Sequence, residues 1–145
     1  MSANAEPPVP HTQADDEHPE RSFIRQVIAS GGSGIPVATN PLAQALAMRI
    51  EAARDGYVRA SYRVDHPFTQ GNGYVQGGIV SAMLDFGMVF AAFTRVPRHA
   101  TIATVSQTTN YFRAAERGAF VVEAELERVG RTLINARATL IGADG

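Results

Sequence analysis

The chain has 145 residues, a length that suits one domain with a sizeable core of its own. It has no cysteine, which excludes disulfides, thiolate metal sites and cysteine nucleophiles, and its formal net charge of -1 gives no general pull toward nucleic acid or an anionic membrane. Histidines fall at 11, 18, 66 and 99 without metal-ligand spacing, so no metal site is expected.

Residues 1–20 are Pro-rich, polar and acidic, and read as a disordered tail ahead of a single domain over 21–145. They show no basic stretch followed by an apolar one. A secretory signal is therefore not expected, and a cytoplasmic location is. Phe23, Ile24, Val27 and Ile28 recur at helical spacing, and the run Ser30-Gly31-Gly32-Ser33-Gly34 breaks that helix. A glycine run of this kind can cradle a phosphate. Without a following Lys-Ser/Thr or a clear preceding strand, it reads as a flexible connector.

Asn40 and Pro41 form a helix start, with Leu42, Leu46 and Ile50 as its apolar stripe and Asp55-Gly56 as its end. Tyr57 to Val64 alternates Val58, Ala60, Tyr62 and Val64 against Arg59, Ser61 and Arg63, which predicts a half-buried strand. His66 to Val75, with Pro67, Gly71 and Gly73, reads as a loop.

Gly77 to Phe93 is almost wholly apolar. It is shorter than the ~20 residues that a bilayer needs, and Asp85 interrupts it, so a buried core helix is expected and a membrane span is not. Three strands are predicted after it, at Thr101–Phe112, Phe120–Val129 and Thr132–Ile141, joined by short links at Glu116-Arg117-Gly118 and Gly130-Arg131. A helix apolar on nearly every side must be surrounded. A four- or five-stranded sheet covers one side only, which implies a partner chain.

Asp85 is the only charge between Gly77 and Phe93, flanked by Met83, Leu84, Phe86 and Met88. A carboxylate in such surroundings is costly unless paired or hydrogen-bonded. It reads either as a catalytic base or as a structural Asp bonded to a Ser, Thr or backbone group. Gly77-Gly78 opens the same helix. A helix N-terminus offers free N–H groups, and a glycine lets a ligand approach them, so such an N–H can hold the oxyanion formed when a carbonyl is attacked. The bland alternative is a tight turn into the helix.

The two features are eight residues apart, ~12 Å along one helix axis, which is too far to converge on one carbon. Two antiparallel copies across a two-fold axis bring glycine from one chain to aspartate from the other. If Asp85 is catalytic, the spacing thus predicts a dimer with two composite sites.

At these residues the chain resembles the hot-dog thioesterases, in particular the branch with the phenylacetic-acid-pathway and 4-hydroxybenzoyl-CoA enzymes. The residues that carry the resemblance are Gln70-Gly71-Asn72-Gly73-Tyr74-Val75-Gln76-Gly77-Gly78, then Met83-Leu84-Asp85, then Thr104-Val105 to Tyr111-Phe112-Arg113. It covers residues 41–145.

The resemblance implies an α+β hot-dog fold, a long antiparallel sheet wrapped around a central helix. It implies hydrolysis of an acyl-CoA by a homodimer or tetramer. Asp85 is implied as nucleophile or base and Gly77 as oxyanion donor with Gly78 beside it. Gln70 and Gln76 are implied to position the acyl group, and Thr104 to orient the water or Asp85. The turns Arg113–Glu116 and Arg128–Thr132, with Gly130, match segments that touch CoA. Arg113 and Arg131 are candidates for its phosphates, against the alternative of solvated surface arginines.

CoA enters as part of the substrate, and no cofactor, nucleic-acid partner or membrane is implied. Met83, Phe86, Met88 and Phe90 are read mainly as core, with an aromatic or medium-chain acyl group as the alternative use of that lining.

There are two departures. Gln76 stands where the family has a His, and an amide cannot act as acid or base near neutral pH, which argues against dehydratase chemistry. The family also continues past the Asp144-Gly145 turn with one more strand, so the final edge strand is expected to be missing here. These departures keep open a non-catalytic acyl-CoA-binding or assembly protein on the same fold.

Overall fold

The computed structural model describes residues 17–145. The segment read as a disordered tail lies largely outside them, and its last two residues belong to a helix. That helix, α1, runs Pro19–Ser30, with His18 at its N-cap accepting from the Glu20 N–H. Gly31 ends it in the left-handed region at φ 63°, donating to the Ile28 carbonyl. A two-residue strand, β1, follows the glycine connector at Ile35–Pro36.

The helix expected to reach Asp55 is a correction. Helix α2 spans only Pro41–Ala45, capped by the Asn40 side chain on the Leu42 and Ala43 N–H groups. Ala47 then takes a left-handed φ of 48°, and strand β2 follows at Arg49–Arg54. Leu42, Leu46 and Ile50 share helical spacing, but Ile50 is also in register with Ala60 of strand β3, Tyr57–Val64. Pairing there gives the backbone of residues 49–54 a ladder on β3, interrupted only by a bulge between Ile50 and Ala52, which a short exposed helix does not match. Asp55-Gly56 is a hairpin turn, with Gly56 at φ 73°.

After a short 3-10 turn at His66–Phe68, α3 runs Gly77–Phe93, as its composition predicts. Strands β4, Gly118–Val129, and β5, Ile134–Gly142, complete an antiparallel sheet in the order β1-β2-β3-β4-β5. Val58, Ala60, Tyr62 and Val64 of β3, and Phe120, Val122 and Ala124 of β4, are buried against α3. The expected outward set, Glu123, Glu125 and Glu127, lies on the other face, where Arg59 meets Glu123 and Arg137 meets Glu125.

Helix α1 covers part of α3, with the Phe23 and Phe90 rings edge to face at 6.0 Å and His18 stacked on Phe93 at 4.7 Å. The α3 C-terminus is tied to the β2–β3 turn. Thr94, 3% exposed, donates its hydroxyl to the Ala91 carbonyl and accepts from the Gly56 N–H at 2.8 Å.

The expected strand at Thr101–Phe112 is the second correction. That stretch joins no ladder within the described residues, and its polar side chains bond to α3 instead. The three-strand meander is therefore the β4–β5 hairpin alone. Between β5 and residues 108–120 lies a cavity of about 1200 Å³.

Candidate active site

Helix α3 carries a polar stripe one turn apart at each step: Gly77, Ser81 and Asp85. The stretch 104–111 runs antiparallel along it. Thr104 donates its hydroxyl to Asp85 Oδ1 at 2.6 Å. Gln107 donates through Nε2 to the Ser81 carbonyl at 3.0 Å and to Thr109 Oγ1 at 3.1 Å. Ser81 Oγ lies 3.2 Å from Thr109 Oγ1 and 2.6 Å from the Tyr111 hydroxyl. Tyr111 donates in turn to the Gly77 carbonyl at 2.9 Å.

Asp85 is half-buried, and no arginine or lysine pairs with it among the described residues. The nearby Tyr62 phenol is buried and donates to the Met83 carbonyl at 3.0 Å. Burial pushes its pKa well above the ordinary tyrosine range, and the negative charge of Asp85 adds to that shift.

Gly77 and Gly78 are the first two residues of α3, so their N–H groups have no acceptor within the helix. Gln76 occupies the N-cap, but its side chain makes no capping bond. Its backbone N–H donates to the Phe68 carbonyl, and its own carbonyl accepts from Ile79 and Val80. The Gln76 side chain is exposed. Gln70 shapes the loop before the helix: its side-chain oxygen accepts from the Asn72 N–H at 2.6 Å, and its backbone bonds to Tyr74 and Gly73.

The structure therefore gathers the expected residues into groups. Gln70, Gly77 and Arg113 line one cavity with Tyr111. Asp85 and Thr104 meet two helical turns away. Gly130 and Arg131 stand apart from both, in the β4–β5 turn. That turn is at the far end of β4 from the Tyr74–Glu116 bridge, ~40 Å along the strand. There the Gly130 N–H donates to the Leu133 carbonyl at 2.9 Å, and a Cβ on Gly130 would crowd that same oxygen at 2.8 Å. Arg113 donates to the Gly145 carbonyl.

Of the apolar candidates, Met83 and Phe90 are fully buried core, while Phe86 and Met88 are partly exposed. Sequence reading missed Ser81, Gln107, Thr109 and Tyr111. The signal was present, since Ser81 lies four residues from each of Gly77 and Asp85, and four-residue spacing stacks side chains on one helix face.

A family model described as the thioesterase superfamily matches residues 72–145. Among solved structures, the chain is similar to a phenylacetic acid degradation-related protein from Ralstonia eutropha JMP134, at 25% identity and a TM-score of 0.72, covering 85% of this chain and 91% of that one. It is also similar to a thioesterase family protein from Silicibacter pomeroyi, at 26% identity and a TM-score of 0.64, covering 83% and 93%. It shares its fold with zebra fish thioesterase superfamily member 2, at 23% identity, a TM-score of 0.65 and coverage of 85% and 86%. No curated protein matches it by sequence. The α+β architecture is the hot-dog fold of these relatives.

Proposed function

This chain belongs to the thioesterase superfamily, and from that premise we propose that it hydrolyses an acyl-CoA to the free acid and CoA. Membership supports thioester hydrolysis as the class of reaction. The observation that carries the finer reading is the Thr104 hydroxyl on Asp85: a carboxylate that, among the described residues, has no counter-charge and a single neutral donor, set in an apolar helix. A merely structural carboxylate gains more from a cation or several donors.

In this reading Asp85 takes a proton from water as the water oxygen bonds to the thioester carbon. The Gly77 N–H, with the helix dipole behind it, receives the charge that develops on the carbonyl oxygen. Collapse breaks the C–S bond, and the sulfur leaves with the proton that Asp85 had taken. The same geometry serves direct attack by Asp85, which releases the thiolate and leaves an anhydride for water to cleave. In heavy-oxygen water, label in the Asp85 side chain identifies the second route, because only water that cleaves the anhydride at the Asp85 carbonyl leaves its oxygen there.

Gly77 and Asp85 are eight residues apart on one helix, ~12 Å, so each site takes Gly77 from one protomer and Asp85 from its partner. A homodimer, or a dimer of dimers, is therefore part of the proposal. Gln70 and Gln76 position the acyl group beside Gly77 and Gly78. Arg113 faces the substrate cavity in the same chain, and the distant Gly130 and Arg131 are assigned to CoA contacts made across the assembly. A cytoplasmic location belongs to the same reading. Among the described residues, no helix is long and apolar enough to cross a membrane.

The test measures free thiol released from aromatic, short and long acyl-CoAs by this chain and by Asp85→Asn. A loss of about a hundredfold or more in the variant, with the fold intact, supports the assignment. Tight acyl-CoA binding without turnover by a folded dimer replaces it with the binding-protein reading, to which the unpartnered Gln76 side chain lends support.

A further inference from the structure

The Gly77–Gly78 peptide is held from its carbonyl side by Tyr111, a residue with no role in the reaction so far described. The Tyr111 hydroxyl donates to the Gly77 carbonyl at 2.9 Å and sits 2.6 Å from Ser81 Oγ. Ser81 in turn meets Thr109, which accepts from the Gln107 amide. With the Tyr111 proton on the Gly77 carbonyl, the 2.6 Å contact takes the single hydroxyl proton of Ser81, so the chain runs from Ser81 through Tyr111 to that carbonyl. The ring lies over the same residue: a Cβ placed on Gly77 would be 3.6 Å from three Tyr111 atoms.

The Gly77 carbonyl and the Gly78 N–H belong to one planar amide. A hydrogen bond accepted by the oxygen increases the dipole of the whole unit and strengthens its N–H as a donor, an effect that grows along a connected chain of bonds. The Gly78 N–H is the second donor of α3, lacks an intrahelical acceptor, and belongs to an exposed residue.

We propose that Tyr111 is a positioning residue that orients and polarises the Gly77–Gly78 peptide, so that the Gly78 N–H joins the Gly77 N–H in holding the carbonyl oxygen of the substrate. This rests on the thioesterase reading of the site. Tyr111 acts through the backbone and touches no reacting atom. Ser81, Thr109 and Gln107 keep its hydroxyl in place and aligned.

The test compares the intact protein with Tyr111→Phe, which keeps the ring over Gly77 and removes only the hydroxyl. Tyr111 is 54% exposed, so the change leaves the core untouched. Two readouts are taken: the Gly78 backbone amide resonance without substrate, and kcat and KM with acyl-CoA. The Gly78 nitrogen resonance moves upfield, and kcat falls ~tenfold with KM held, because the lost interaction strengthens only as charge develops. Ser81→Ala moves both readouts the same way by less.

An unmoved Gly78 resonance in folded Tyr111→Phe overturns the proposal, and so does a moved resonance with unchanged kcat. If the wild-type protein turns over no thioester, the functional reading fails, and the resonance alone still decides whether Tyr111 polarises this peptide.

Discussion

Thr104 and Asp85 are joined by a 2.6 Å hydrogen bond between a stretch of chain that joins no strand ladder among the described residues and the middle of the core helix. Thr104 is exposed in this chain, so its hydroxyl contributes little to stability. Once substrate excludes water, a hydrogen bond to a charged group is worth roughly 1.5–3 kcal/mol. Thr104→Val is therefore expected to lower kcat by roughly 10- to 100-fold with an unchanged melting temperature. Thr104→Ser, which keeps the hydroxyl, retains most of the rate. Steady-state kinetics and a melting curve on the three proteins check this. Equal losses in the Ser and Val variants count against the hydroxyl.

The composite site makes a separate demand. Gly77 is the first residue of α3, where proline is tolerated, and Gln76 has the extended backbone that a following proline requires, at φ -58° and ψ 133°. Gly77→Pro thus deletes the N–H while keeping the helix, and kcat is expected to fall by about a hundredfold. Mixing it with Asp85→Asn and allowing chains to exchange restores about a quarter of the wild-type rate, because half the dimers then hold one intact site. No recovery after verified exchange places both groups in the same protomer's site.

Gly87 faces β4 so closely that an added Cβ would lie 2.6 Å from Val122 Cγ1 and 3.2 Å from the Ala124 Cβ. Gly87→Ala gains about 1 kcal/mol of helix propensity, but it must lift α3 from the sheet, and overpacking costs typically 1–3 kcal/mol. Net destabilisation of up to about 2 kcal/mol is expected in urea unfolding. In a Val122→Ala background, where the nearest obstruction is gone, the same substitution is expected to stabilise. Stabilisation in both backgrounds would show that the helix rides higher than described.

Burial raises the pKa of the Tyr62 phenol, with Asp85 adding to the shift. The unfolded chain releases this proton near pH 10, while the folded protein keeps it. Stability from this group is complete below pH 10 and declines as pH rises toward the folded value, by about 1.4 kcal/mol per pH unit. Tyr62→Phe loses about 1 kcal/mol at neutral pH with its hydrogen bond to Met83. Its stability then falls less steeply than that of wild type between pH 10 and 11. Urea unfolding across that range distinguishes the slopes, and parallel slopes would mean that the phenol ionises in the fold.

Much of this was legible in the sequence where local pattern and tertiary setting agree. Helix α3 keeps its expected limits because a long apolar run with one charge has few other places to go. Strand β4 keeps its alternation because one face meets α3. Residues 42–50 misled because spacing of four suits a helix, whereas the outcome was decided by Ile50 finding Ala60 across the hairpin. The composition of residues 101–112 does not encode which neighbour they choose. Asp85 was conspicuous as a lone charge, and Thr104 was found through family resemblance. The Ser81–Tyr111 contact was not, because hydroxyl groups are common and only the folded path of the chain brings these two together.

The bond from the Gly56 N–H to Thr94 spans 38 positions of sequence and joins a hairpin turn to the end of the central helix. Because Thr94 is buried, its hydroxyl loses water before it gains this partner unless both arrive together. Hairpin closure and docking of the helix end are thereby coupled in the folded state, far from the residues proposed for turnover. Thr94→Val is accordingly expected to lower stability with kcat unchanged, since it leaves the Gly56 N–H without its acceptor.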